Sequence, residues 1–237
     1  MAGRAVSLLA AILAAQQPDF EPLYRQALAE REQKLGKGDR KTRESERDLA
    51  LYLAHRGEYA KAEPYRETAL ALADTLEAAT ALHNWAVALE QQDPPGAERM
   101  YRRVLEIRSK LLPPQDVELA ATKLNLAALL MARSGSEAEA LASQALAAFE
   151  KKFGPVDTRV GAACQVLGAV QATRGKVVAA EQLFRRGLSI AEKVHGPESE
   201  QTAAALENLA ELLQQTGREL SARPLLERAQ RIRLRTR

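Results

Sequence analysis

Lys152-Phe153-Gly154-Pro155 returns 42 positions later as Val194-His195-Gly196-Pro197. Gly175-Lys176 returns at the same offset as Gly217-Arg218, and Ala27-Leu28 as Ala69-Leu70. A fixed period in this range is the mark of stacked copies of one supersecondary unit. Each copy is too small to bury its own apolar face, so the copies bury one another, and the product is an extended surface for holding a partner.

Working outward, the helical signal is strong and continuous. Forty-five of the 237 residues are alanine and aromatics make up 4%. Alanine is the best helix former and lets helices approach closely. Glycine and proline fall at spaced intervals, as stops between elements. A hydrophobic content of 46% excludes general disorder. The second helices of the units are the easiest to see, in Leu23–Leu28, Pro64–Leu70, Met100–Leu105, Ala142–Leu146, Leu183–Leu188 and Leu225–Ala229. First helices align on an Asn-apolar-Ala slot, in Asn84-Trp85-Ala86, Asn125-Leu126-Ala127 and Asn208-Leu209-Ala210. Asp48-Leu49-Ala50 and Val166-Leu167-Gly168 fill the same slot. The small third residue is what a close helix crossing requires.

Gly57, Gly135, Gly175 and Gly217 are expected to end the first helices in the left-handed conformation, with Asp93-Pro94-Pro95-Gly96 replacing them in the third unit. Gly36-Lys37-Gly38, Pro113-Pro114, Gly154-Pro155 and Gly196-Pro197 separate the units. From Leu70 to Leu105 the spacing shrinks to 35, because Asp74-Thr75 replaces a glycine-proline loop. The count is five helix pairs preceded by one unpaired second helix.

The chain resembles the tetratricopeptide repeat (TPR), in the 42-residue variety of kinesin light chains and many bacterial proteins, over roughly residues 20–237. The resemblance rests on Gly57…Ala62-Glu63, Gly175…Ala180-Glu181, Gly217…Ala222 and the Gly-Pro connections. It implies an all-α fold, a right-handed α-α superhelix (TPR solenoid) of about five helix-turn-helix repeats plus a partial N-terminal unit, with first helices on the inner surface. It also implies a non-enzymatic scaffold that binds a peptide or protein segment in its concave groove. A structural or assembly module packing through its outer face or open end, or a regulatory accessory subunit of an enzyme, are the alternative readings.

In kinesin light chains, first-helix asparagines hold the backbone of an extended peptide, and Asn84, Asn125 and Asn208 match that motif. A carboxamide offers both donor and acceptor to a peptide bond. The same asparagines could instead tie one helix to the next. Val166 and Asp48 break the ladder, so the resemblance supports groove binding best around the third and fourth units.

Nothing in the sequence carries catalytic, metal or cofactor chemistry. His55, His83 and His195 lie in different units, and no P-loop, Gly-x-Ser-x-Gly or dinucleotide fingerprint occurs. His83 and Trp85 read as helix packing, His195 as an exposed loop residue, Glu137 and Glu139 as a solvated helix start, and Cys164 as a small core residue. A net charge of +3 with interspersed signs makes nucleic acid an improbable partner. Arg223, Arg228, Arg231, Arg233, Arg235 and Arg237 concentrate charge at the end of the chain. They read either as the solvated face of a last helix or as a contact for an anionic surface. At the other end, Met1–Arg4 is positive, Ala5–Ala15 is apolar, and Gln16-Gln17-Pro18-Asp19 is a polar break. Residues 1–15 therefore have the layout of a signal peptide, with Ile12-Leu13-Ala14 as cleavage motif, or serve as an N-terminal capping helix. The first reading implies a periplasmic or secreted protein and the second a cytoplasmic one.

Overall fold

The computed structural model describes residues 19–236, and those residues are helical with no strand among them. The signal-peptide layout of residues 1–15 lies outside them, as does Arg237. The chain divides into two compact units, one ending at Leu111 and the other beginning at Leu112.

In the first unit, α1 (Glu21–Leu35) packs on α2 (Arg40–His55). Then come α3 (Tyr59–Ala62), a 3₁₀ turn (Glu63–Tyr65), α4 (Arg66–Leu72), α5 (Leu76–Leu89) and α6 (Pro94–Leu111). The second unit holds α7 (Val117–Leu130), α8 (Gly135–Phe153), α9 (Thr158–Thr173), α10 (Val177–His195), α11 (Glu200–Gln215) and α12 (Glu219–Thr236). With α1 as the unpaired second helix, five pairs follow, as the repeat spacing predicts.

Each first helix starts on a side-chain cap. Asp39, Thr75, Asp116, Asp157 and Ser199 accept a hydrogen bond from a backbone N–H two or three residues on, at 2.8–3.2 Å. Such a cap satisfies one of the otherwise orphaned amide donors at a helix start. The aligned small residues sit where they must. Ala50, Ala86, Ala127 and Ala210 are fully buried, as are Ala62, Ala180 and Ala222 of the second helices. At Gly168 even a methyl group would come within 2.9 Å of the Phe184 ring.

Two local expectations need correction. The second helix through Pro64-Tyr65 is not continuous. Pro64 has no N–H to give and its ring crowds the preceding turn, so the chain passes from α3 through the 3₁₀ turn into α4. Gly135 is not left-handed. Gly57, Gly175 and Gly217 have φ of 72–75°, but Gly135 opens α8 in ordinary helical conformation. There a Cβ would meet the Arg174 side chain at 3.1 Å, so the glycine relieves a close approach.

In the second unit the first helices α7, α9 and α11 touch one another in sequence, whereas the second helices α8, α10 and α12 make no comparable contact. The unit is therefore closed on its first-helix side and splayed on the other. The inner surface is built from the exposed faces of α7, α9 and α11.

Candidate binding groove

Between α9 and α11, over α10, lies a slot with two pits. The first has a volume of about 340 Å³. Its walls come from the first halves of α9 and α11, with Ala162 and Val166 facing Ala204 and Ala205, and its floor is Gly187, Ile190 and Ala191 of α10. The second, about 240 Å³, lies between the later halves of the same helices, against Ala169, Ala172, Phe184 and Leu212. Asn208 lines both.

A carboxamide bridge separates the pits. Asn208 Nδ2 donates to Gln165 Oε1 at 2.9 Å. The Nε2 of Gln165 is buried and has no partner among the described residues. It lies over Gly187, where a Cβ would come within 2.4 Å of it. At the mouth of the first pit the His195 ring shares a 3.1 Å hydrogen bond with the Thr158 hydroxyl. The first pit has no carboxylate, lysine or arginine in its lining. In the second the sole charged side chain is Glu211, which accepts from Gln215 Nε2 at 3.1 Å.

The three motif asparagines have different surroundings. Asn84 is exposed on α5 of the first unit. Asn125 is half-buried on α7 and Asn208 half-buried on α11, both in the second unit. Of the three, Asn208 alone lines these two pits. The break in the ladder at Val166 is bridged by its neighbour, because the longer Gln165 reaches across to Asn208. That residue and His195 escape a reading based on aligned slots. Gln165 sits one position before the slot. His195 is not an exposed loop residue but the last residue of α10, turned inward to Thr158. The signal for Gln165 was the carboxamide next to Val166.

The tetratricopeptide repeat profile matches residues 42–110 and 159–235, more than half of the chain. The chain belongs to the tetratricopeptide repeat family. Among curated proteins none matches it. Similar solved structures include a kinesin light chain candidate of Podosopora anserina with nearly identical TPR-like repeats (the Q17M form). That one is 23% identical, with a TM-score of 0.64, over 81% of this chain and 95% of the other. BtubC (BKLC) from P. vanneervenii is 21% identical, with a TM-score of 0.65, over 91% and 90% of the two chains. Aspartyl phosphate phosphatase F from Bacillus subtilis is 15% identical, with a TM-score of 0.62, over 94% of this chain and 57% of its own length. At these identities the likeness is one of fold. TPR folds are in general protein–protein interaction modules.

Outside the slot, several polar residues of this TPR chain are built into its packing or into ion pairs. His83 is pressed against the edge of the Tyr101 ring, 5.4 Å away. Burial, helped by the Arg108 guanidinium, pushes its pKa down to about 4. Trp85 is fully buried, with Tyr59 stacked at 6.3 Å, and burial raises the Cys164 thiol. Glu139 is no solvated helix start. It binds Arg174 and Lys176 at 2.8 Å and accepts from Gln171 at 2.9 Å, which holds its pKa below the usual range with Lys176 as the main cause. One repeat later Arg218 grips Glu181 at 2.8 Å in the same way. No group of three potential metal ligands occurs among the described residues, and no described helix is long and apolar enough to cross a membrane.

The C-terminal arginines are largely engaged by acids of the preceding elements. Arg228 binds Glu192 at 2.6 Å, Arg233 binds Glu200 and Glu207 at 3.1 and 2.6 Å, and Arg235 binds Glu198 at 2.9 Å. Arg223 pairs within α12 with Glu227 at 2.9 Å.

Proposed function

We propose that this TPR chain is a non-enzymatic scaffold that holds an extended segment of a partner protein on the inner face of its second unit. The observation that carries the reading is the slot between α9 and α11, with its two pits and the Asn208–Gln165 bridge. Apolar pits take side chains, and the bridge offers donors and acceptors to a peptide backbone. A shallow floor with few polar anchors fits micromolar affinity, about −8 kcal/mol. Asn125 would extend the contact along α7, and Asn84 would give a separate one in the first unit.

The test is capture of peptides from a random phage-displayed library by the purified chain, repeated with Asn208→Ala, Asn125→Ala and Asn84→Ala. Loss of capture in Asn208→Ala with an unchanged melt supports the slot. Capture unaffected by all three changes rules it out.

A second reading has an observation of its own. Leu220 at the start of α12 is 92% exposed and lies beside Leu226 in a shallow depression on that helix. An exposed apolar patch of this kind suits packing on another chain. Changes there, or at the outer-helix residues Arg102 and Arg185, would then disturb assembly while slot changes stay silent.

A further inference from the structure

We propose that the slot selects a segment carrying an aliphatic side chain for the first pit and, two to four residues away, a lysine or arginine for Glu211. The proposal rests on the groove reading above and gives its occupant a chemistry.

The first pit is lined by two glycines that most other repeats replace. At the place of Gly161 three other first helices carry Ala79, Ala120 and Ala203. At the place of Gly187 the other second helices carry Ala69, Val104, Ala145 and Ala229. A Cβ at Gly161 would stand 3.1 Å from Ile190, and one at Gly187 would strike the Gln165 amide. The two glycines therefore let the Ile190 side chain and the Gln165 amide close in as part of the lining of the pit. Its lining is small and apolar, with no full charge, so burying an ion there would go uncompensated while an aliphatic side chain gains by desolvation.

The second pit is built for the opposite end of a side chain. Its apolar walls suit the alkyl stem of a long cation, which buries its methylenes and keeps its head at a polar edge. Glu211 stands at that edge. Its neighbour Glu207 is neutralised by Arg233, whereas Glu211 has only the Gln215 amide among the described residues. A carboxylate with no cation beside it attracts a basic residue and repels an acidic one. From Ala204 and Ala205 to Glu211 and Leu212 is seven residues along α11, or about 10 Å of helix. An extended chain covers that in about three residues.

The probe is a phage-displayed library of random heptapeptides, panned on the full-length chain and on Glu211→Lys, Ala204→Glu and Asn208→Ala. Glu211 and Ala204 are exposed, so these variants keep the fold, and a melt verifies it. The wild-type pool should be enriched at least tenfold over input in peptides that combine Lys or Arg with Leu, Ile, Met or Val at the stated separation. Glu211→Lys should exchange the basic residue for an acidic one, and Ala204→Glu should remove the aliphatic preference. A pool that depends on Asn208 but keeps its basic content on Glu211→Lys overturns this proposal and leaves the groove standing. A wild-type pool with no enrichment, or with enrichment indifferent to Asn208→Ala, removes the groove and this inference together.

Discussion

His83 shows what burial does to a single side chain. Folding lowers its pKa to about 4 from the ordinary 6.5, so between those values the unfolded chain binds a proton that the folded chain refuses. Stability present above pH 6.5 is therefore lost as pH falls toward 4, by up to ~3 kcal/mol. Urea midpoints should drop over that window in the wild type and drop less in His83→Gln; equal slopes would remove the assignment. Gly168 is the complementary case. Gly168→Val should cost about 1–3 kcal/mol through overpacking against Phe184, read as a lower Tm. The need for a small residue at 168 was legible from the aligned slot. The inward turn of His195 was not, because it depends on Thr158, 37 residues away, being brought alongside by the stacking of α9 on α10.

Helix boundaries follow from caps and stops that are local in sequence. The Gly-Pro connections end helices at Phe153 and His195, and the short Asp74-Thr75 link holds only the cap of α5. Asp157→Ala should lower stability by about 1 kcal/mol, since Asp157 caps α9 through the Arg159 amide; an unchanged thermal midpoint would count against the cap. Ala127→Leu should cost about 1–3 kcal/mol, because Ala127 is fully buried on α7. Two element-level features escaped the pattern. Pro64 breaks a helix that repeat alignment draws as continuous. Gly135 looks like a stop but starts α8, because a glycine at a turn can serve conformation or clearance and sequence does not distinguish the two.

At the scale of the whole molecule, α12 shows that a charged helix can also be a seal. Ile232 is fully buried with Ala229 against Ala203 and Leu206, and Arg233 and Arg235 are paired to α11 and the turn before it. Removing residues 231–237 should therefore lower Tm by several degrees, as calorimetry would show. A lipid- or nucleic-acid-binding test of the arginines is cleaner in Arg231→Glu, which lies on the exposed side of α12. The sequence by itself determined the helical class, the repeat count, the family and the small-residue contacts. Those depend on period and local stop signals, which every copy repeats. Only the tertiary structure shows the slot on which the binding proposal rests. The slot is lined by two glycines, a glutamine one place out of register and a glutamate with no cation beside it among the described residues. These come together only when α9 and α11 are packed side by side.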